Sequence, residues 1–138
     1  MGTWQRRFGL FLRVTGTVCA LAIVAVFMPR AWMAACHEWL GLGPFPEGPI
    51  VEYLARSTSM FYAMLGGILW ILSGDVVGRG RAIAVLGAGT MVGGAVLLVT
   101  DLRAAMPLWW TAAEGPFVVL LGATMLALRR KARAEATA

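Results

Sequence analysis

Residues 108–128 read LWWTAAEGPFVVLLGATMLAL, an apolar run with a single charged side chain, Glu114. A helix needs roughly 20 mostly apolar residues to cross the hydrocarbon core of a bilayer. Three further runs of this kind lie at residues 10–28, 54–73 and 82–100. Of the 138 residues, 59% are hydrophobic and 14% are charged, whereas a soluble domain carries about 25% charged residues. The sequence therefore predicts an integral membrane protein with four spans.

The four runs are continuous rather than alternating, and this favours helices over the strands of a membrane barrel. Two of the three connections, residues 74–81 and 101–107, are short, so successive helices are expected to lie antiparallel. Little sequence remains for a soluble domain. The expected fold is all-α: one membrane domain over residues 1–138, an integral membrane four-helix bundle with up-down-up-down topology.

The long connection, residues 29–50, changes composition midway. Its first part repeats apolar residues at helical spacing, namely Trp32, Cys36, Trp39 and Leu40. Tryptophans favour the membrane–water interface. Glycines and prolines fill residues 41–49 and break the helix. We expect a short interfacial helix in this first outer loop, and a new helix that begins near Ile50.

Basic residues are spread unevenly over the ends of the runs. One side carries Arg6, Arg7, Arg79, Arg81, Arg129, Arg130, Lys131 and Arg133, and the other carries Arg30, Arg56 and Arg103. Lysine and arginine in short loops are retained in the cytoplasm, so both termini are placed there, in a multi-pass protein of the bacterial inner (plasma) membrane. The asymmetry accounts for the net charge of +5 without a nucleic-acid partner, and such basic ends attract membrane lipid with anionic headgroups.

The first run has features of a signal peptide, because Arg6 and Arg7 precede it and the stretch Met33-Ala34-Ala35-Cys36 is similar to a lipoprotein cleavage site. The run is nevertheless long enough to span a membrane, and Pro29 and Arg30 separate it from that site. We therefore expect this segment to be retained as a span.

Small residues at regular spacing mark the faces where membrane helices approach closely. The pairs are Gly16 with Ala20, Ala63 with Gly67, Gly89 with Gly93, and Gly115 with Gly122. They predict contacts within one bundle, and contacts between copies in a homo-oligomer are the alternative.

A polar constellation is expected at the outer leaflet, because Arg56 and Glu114 lie at similar depths in their helices. A charge within a span is costly and marks a functional-site hypothesis, and two opposite charges at one level are expected to pair. Together they predict a ligand-binding pocket with a charged floor and aromatic walls. Its candidate residues are Arg56, Ser59, Tyr62, Glu114, Trp110 and His37.

A structural alternative stands beside this pocket. Glu52 and Arg56 are four residues apart on one helix and can pair with each other. Thr111, Arg103 or water would then hold Glu114. In this interpretation the charged side chains stabilise the packing of the helices and do not bind a ligand.

The residues for most catalytic chemistry are missing from the sequence. His37 is the single histidine, whereas haem in membrane helices commonly takes two. No cluster of His, Cys and carboxylate residues has metal-ligand spacing, and no serine lies in a nucleophile elbow. Cys19 and Cys36 differ in depth and are not expected to pair. We expect no cofactor, no metal and no catalytic residue.

The layout of spans, the glycine-rich second and third helices and the arginine that opens helix two resemble the DoxX-like group of small four-helix bacterial membrane proteins. The stretches His37-Glu38-Trp39-Leu40-Gly41-Leu42-Gly43 and Tyr53-Leu54-Ala55-Arg56-Ser57 are similar to those of a further set of small bacterial membrane proteins. Some DoxX-like members are associated with quinone-linked oxidation. The resemblance implies a quinone-type ligand and carries over no catalytic residue.

These observations predict a non-catalytic membrane protein that binds a lipid-like or quinone-like molecule, or a larger membrane complex, through the outer pocket. The first alternative is an oligomeric proton-coupled transporter that uses Glu114. Small multidrug exporters share this length and span count, but their essential glutamate lies in the first helix, where this chain has Arg13 and no acid. The second alternative is a subunit of a membrane redox complex.

Overall fold

The computed structural model describes residues 2–138, which form helices and contain no β-strand. The helices are α1 (Thr3–Ala20), α2 (Ile23–Val26), α3 (Arg30–Trp39), α4 (Pro49–Ser73), α5 (Gly80–Arg103) and α6 (Leu108–Thr137). The runs 54–73, 82–100 and 108–128 each lie within one helix, whereas the run 10–28 is divided between α1 and α2 by a turn at residues 21–22 and its helix ends at Val26. The short helix expected in the long connection is present as α3, and the restart expected near Ile50 occurs at Pro49.

The chain divides into two compact units, one of residues 12–71 and one of residues 72–138 with the N-terminal residues up to 11. In the first unit, α1 and α4 run antiparallel. A Cβ placed on Gly16 would lie 2.8 Å from the carbonyl oxygen of Gly66, and one placed on Gly66 would lie 2.6 Å from the nitrogen of Ala20. Trp70 Nε1 also donates a hydrogen bond to Thr17 Oγ1 at 3.1 Å. Two glycines therefore allow the backbones to touch.

In the second unit, α5 and α6 pack along most of their length. A Cβ on Gly94 would lie 2.8 Å from the carbonyl oxygen of Gly115, and one on Gly122 would lie 2.6 Å from that of Gly87. As the numbers rise on one helix they fall on the other, so the pair is antiparallel. The buried residues of α5 include Gly87, Gly94 and Asp101, which are spaced seven residues apart. This spacing is typical of two helices whose axes cross at a small angle. We call the row formed by Gly87, Gly94 and Asp101 the seven-residue seam.

The expected close-packing faces are only half correct. Gly115 and Gly122 make the contacts that the sequence predicts. On α5, however, nothing lies within 4 Å of a Cβ on Gly89 or Gly93. The reason is the seven-residue seam, which places Gly87 and Gly94 against α6. Gly89 and Gly93 lie on another face of α5 and do not contact α6. On α4, Gly66 rather than Gly67 meets α1.

Three segments are long and apolar enough to cross a membrane: Thr3–Val26, Gly80–Arg103 and Leu108–Thr137. Only 17%, 17% and 22% of the residues in their most apolar windows are buried, so most of their apolar surface faces outward. Large side chains such as Val85, at 75% exposure, and Leu120, at 65%, are examples. Helix α4 has 25 residues but is not among the three, because its first half carries a charged and hydroxyl-rich stretch over residues 56–59.

The polar end of α6 packs against the beginning of α1, within the second unit. Glu135 accepts hydrogen bonds from the backbone N–H groups of Trp4 and Gln5 at 2.9 and 3.2 Å. These N–H groups lie in the first turn of α1 and lack helical partners. Lys131 lies over the Trp4 ring at 4.1 Å, and Arg7 lies 5.0 Å from the centre of the same ring. The last turns of α6 thus continue as ordered helix beyond the apolar run.

Candidate functional site

Arg56 lies on α4, and its side chain bonds to backbone carbonyls at and just after the end of α2. Its guanidinium donates hydrogen bonds to the carbonyl oxygens of Val26 and Met28, at 3.0 and 3.2 Å. Val26 is the last residue of α2, and Met28 lies two residues beyond it, directly before Pro29; carbonyls at the end of a helix lack helical partners. The same guanidinium contacts the Glu52 carboxylate at 3.4 Å. The pairing of Glu52 with Arg56, one of the two arrangements expected from the sequence, is present.

Glu52 also pairs with Arg30, a partner that the sequence analysis did not identify. Arg30 donates to Glu52 at 2.9 Å and to the carbonyl oxygen of Pro46 at 3.2 Å, and its guanidinium lies 5.3 Å from the centre of the Phe45 ring. The hydrogen bond from Arg30, with the positive charges of Arg30 and Arg56, lowers the pKa of Glu52 below its ordinary value of 4.5. One carboxylate thus fastens α3 and the loop to the start of α4.

His37 takes part in the same loop rather than in an open site. Its Nδ1 lies 2.8 Å from the carbonyl oxygen of Gly43, and its ring meets Phe45 edge to face at 5.5 Å. On α3, Met33 is buried, whereas Trp32 and Trp39 are 64% and 86% exposed. The two tryptophans are therefore free to contact a surrounding apolar phase.

A shallow groove lies beside Arg56, with a volume of about 360 Å³. It is lined by Val26, Tyr53, Arg56, Ser57, Met60 and Phe61. Ser59 and Tyr62, which the sequence analysis places with Arg56, are half-buried and exposed, respectively, and neither lines this groove. Because the guanidinium is held by carbonyls and Glu52, it serves the structure of the loop first.

Glu114 lies in a second and more apolar groove, on α6. Trp110 Nε1 donates a hydrogen bond to Glu114 Oε2 at 2.6 Å, as the four-residue spacing on one helix allows. Trp109, Ala113 and Phe117 complete the lining of a groove of about 480 Å³. We call this surface, formed by Trp109, Trp110, Ala113, Glu114 and Phe117, the Glu114 groove. It combines an aromatic wall with one carboxylate, whose Oε2 accepts the hydrogen bond from Trp110.

The two charges at the centre of the sequence prediction thus have local partners, each within its own unit. Arg56 bonds within residues 12–71, and Glu114 bonds to a neighbour on its own helix. An ion pair between Arg56 and Glu114 would join residues of different units, and it stays a prediction.

Asp101 is a buried carboxylate that the sequence analysis placed in a turn. It lies in the last turn of α5 and is 5% exposed. Its Oδ2 has no hydrogen-bond partner among residues 2–138. The seven-residue seam brings Asp101 to the level of residues 108–112 on α6, which include the buried Thr111. The repeat Gly87, Gly94, Asp101 was the signal in the sequence that could have placed it at the helix contact.

Comparisons with family models, curated proteins and solved structures found no match for this chain. Within residues 2–138, no group of three or more His, Cys, Asp or Glu side chains is placed to hold a metal ion. The resemblance to the DoxX-like group stays a prediction from the sequence. The chemistry of the site must therefore be argued from its own residues.

Proposed function

We propose that this chain is a small integral protein of the bacterial inner membrane with both termini in the cytoplasm and four spans, of which α4 is the second along the chain. Three segments already have the length and hydropathy of a span. Helix α4 matches them in length, and its Arg56 satisfies two backbone carbonyls. A guanidinium that is hydrogen-bonded in this way costs less in a membrane than an isolated charge. The unequal distribution of basic residues supports the orientation.

Within this setting, the Glu114 groove binds a lipid-like or quinone-like molecule. The observation that carries this proposal is the pairing of a mostly apolar, aromatic groove of about 480 Å³ with a single oriented carboxylate. Ligand pockets characteristically combine apolar walls with a few placed polar groups. The Trp110 hydrogen bond fixes one carboxylate oxygen, so the other can accept from a hydroxyl of the ligand.

A proton-coupled transporter is the second candidate, and Asp101 favours it. Asp101 and Glu114 lie near the same end of the α5–α6 pair, and carboxylates within spans are typical of proton pathways. Purified protein would then release protons when a cationic substrate is added, and Glu114→Gln would abolish that release. Proton release of this kind would replace the binding proposal with the transporter.

Photo-cross-linking tests the binding proposal. A photoreactive phenylalanine analogue replaces Phe117, which lines the groove and is 64% exposed, or Leu120, which lies on the same helix outside the groove and is 65% exposed. We expect one defined apolar product from position 117 and a mixture of bulk phospholipids from position 120. Indistinguishable product mixtures would refute a selective groove.

The Glu114→Gln variant adds a chemical control at the same groove. The amide keeps the shape and can still accept from Trp110, but it lacks the charge that strengthens a hydrogen bond from the ligand. We expect a lower yield of the defined product at position 117 and no change at position 120. An unchanged yield at position 117 would show that the charge of Glu114 does not contribute to binding the ligand.

A further inference from the structure

At the opposite end of the α5–α6 pair, a small pocket gathers three arginines. Arg81 comes from the first turn of α5, and Arg129 and Arg133 come from the polar part of α6. Gly78, Gly80 and two valines complete the lining of a cavity of about 260 Å³. We call this cavity the arginine pocket.

The arginine pocket has one arginine held by a hydrogen bond and two that are exposed. Arg129 Nε donates to the carbonyl oxygen of Gly80, which holds its guanidinium against the start of α5. Arg81 and Arg133 are exposed, so their long side chains can adjust to an occupant. A planar guanidinium suits the oxygen atoms of a phosphate better than an ammonium does.

The three arginines of the pocket lack a direct carboxylate partner in the part of the chain that the structure describes. Among residues 2–138, none of the three arginines forms an ion pair with an acidic side chain. The Asp75 carboxylate lies beside Gly78 and accepts a hydrogen bond from the Gly78 N–H at 2.8 Å, and Glu135 accepts hydrogen bonds from the start of α1. Like charges that converge without a counter-charge are costly, and an anion relieves that cost.

The beginning of α5 adds to the positive potential. Its first turn contains no acidic residue, and the side chain of Arg79 before it makes no capping hydrogen bond to the helix. The positive end of a helix dipole and its unpaired N–H groups attract anions. This effect reinforces the three guanidinium groups in the same cavity.

The position of the pocket identifies the anion. It lies where the segments Gly80–Arg103 and Leu108–Thr137 change from apolar to basic sequence, which is the level of the lipid phosphates if these segments cross a membrane. The cavity is slightly smaller than the roughly 300–1,000 Å³ of pockets that enclose a drug-sized molecule, so it suits a headgroup. We propose that the arginine pocket binds the phosphate of an anionic phospholipid headgroup at the cytoplasmic face. The proposal rests on the membrane location and does not depend on the Glu114 groove.

Native mass spectrometry of the gently solubilised full chain tests this site. The protein is incubated with equal amounts of phosphatidylglycerol and phosphatidylcholine of identical acyl chains, and the lipid that remains bound is counted. Both lipids carry a phosphate, but only phosphatidylglycerol has a net negative charge. We expect phosphatidylglycerol to be retained preferentially by the wild type. Equal retention of the two lipids would overturn the proposal without any variant.

Variants then locate the site. Two arginines near a membrane surface contribute about 1 kcal/mol each, so Arg81→Gln with Arg133→Gln is expected to lower the bound phosphatidylglycerol to phosphatidylcholine ratio about 10-fold or more. Arg130→Gln is the matched control, because Arg130 is exposed on the same helix and does not line the pocket. An equal loss in the control would show a diffuse charge effect and overturn the site. Displacement of the lipid by excess inorganic phosphate would show a site for a soluble anion instead.

Discussion

Replacing Gly94 with alanine is expected to loosen the α5–α6 pair, whereas the same change at Gly89 is expected to leave it intact. A Cβ on Gly94 would lie 2.6 Å from the backbone nitrogen of Val119 and 2.8 Å from the carbonyl oxygen of Gly115. Backbone atoms cannot turn away as a flexible side chain can, so the helices must separate. Nothing lies within 4 Å of a Cβ on Gly89.

The size of the effect follows from two opposing contributions. Alanine in a helix interior is favoured over glycine by about 0.8–1.0 kcal/mol, and this gain is common to both variants. Overpacking a tight contact costs about 1–3 kcal/mol, and this cost falls on Gly94→Ala alone. The free energy of unfolding of the two variants should therefore differ by about 1–3 kcal/mol, with Gly89→Ala at least as stable as the wild type.

Unfolding in mild detergent by titration with sodium dodecyl sulfate, followed by circular dichroism, measures this difference. Both variants are compared with the wild type in the same micelles, so that the detergent contributes equally. Equal stability of Gly94→Ala and Gly89→Ala would contradict the seven-residue seam. Loss of stability in Gly89→Ala alone would support the packing face that the sequence predicts, formed by Gly89 and Gly93.

Three further outcomes follow from single residues. Because the folded pKa of Glu52 lies below 4.5, its contribution to loop stability is complete above pH 4.5 and is lost as the pH falls through the lowered value; amide exchange of α3 should show this acid transition, and Glu52→Gln should lack it. Asp101→Leu replaces a buried carboxylate, whose Oδ2 has no hydrogen-bond partner among residues 2–138, with an apolar side chain of similar shape. An unsatisfied buried acceptor costs about 1–3 kcal/mol, so this variant should have a higher free energy of unfolding; Asp75→Asn, at an exposed turn, should change it by less than about 0.5 kcal/mol. A membrane-impermeant thiol reagent applied to intact cells should label the exposed Cys36 but not a cysteine that replaces Ala134. Labelling of the cysteine at position 134 would show that the C-terminus lies outside and that the proposed orientation is wrong.

The apolar runs of the sequence predict the helices well, because the cost of unpaired backbone groups in lipid leaves few other structures. The helix ends are less predictable. Helix α6 continues through its polar end because Glu135 and Lys131 find partners at the start of α1. Such contacts join residues far apart in the chain, and periodicity does not reveal them.

The candidate site illustrates the same limit. The four-residue spacing of Glu52 and Arg56 correctly identifies a local pair. The same spacing joins Trp110 to Glu114, a partner that the sequence analysis did not name. The link from Arg30 to Glu52 depends on the path of the loop, which glycines and prolines leave open. The single pocket that depth predicts would join residues of the two units, and it stays a prediction. Local spacing is therefore informative about pairs within a helix, whereas contacts through loops require coordinates.

The most direct test of the binding proposal is the native mass spectrum of a variant in which an introduced tryptophan side chain fills the Glu114 groove. Ala113 lines the groove and Ala112 does not, and both side chains are exposed. Tryptophan at either position should therefore leave the helix folded. We expect one apolar molecule per chain in the wild type and in Ala112→Trp, and none in Ala113→Trp. The same bound mass in all three proteins, or no bound mass in any of them, would contradict the proposed function.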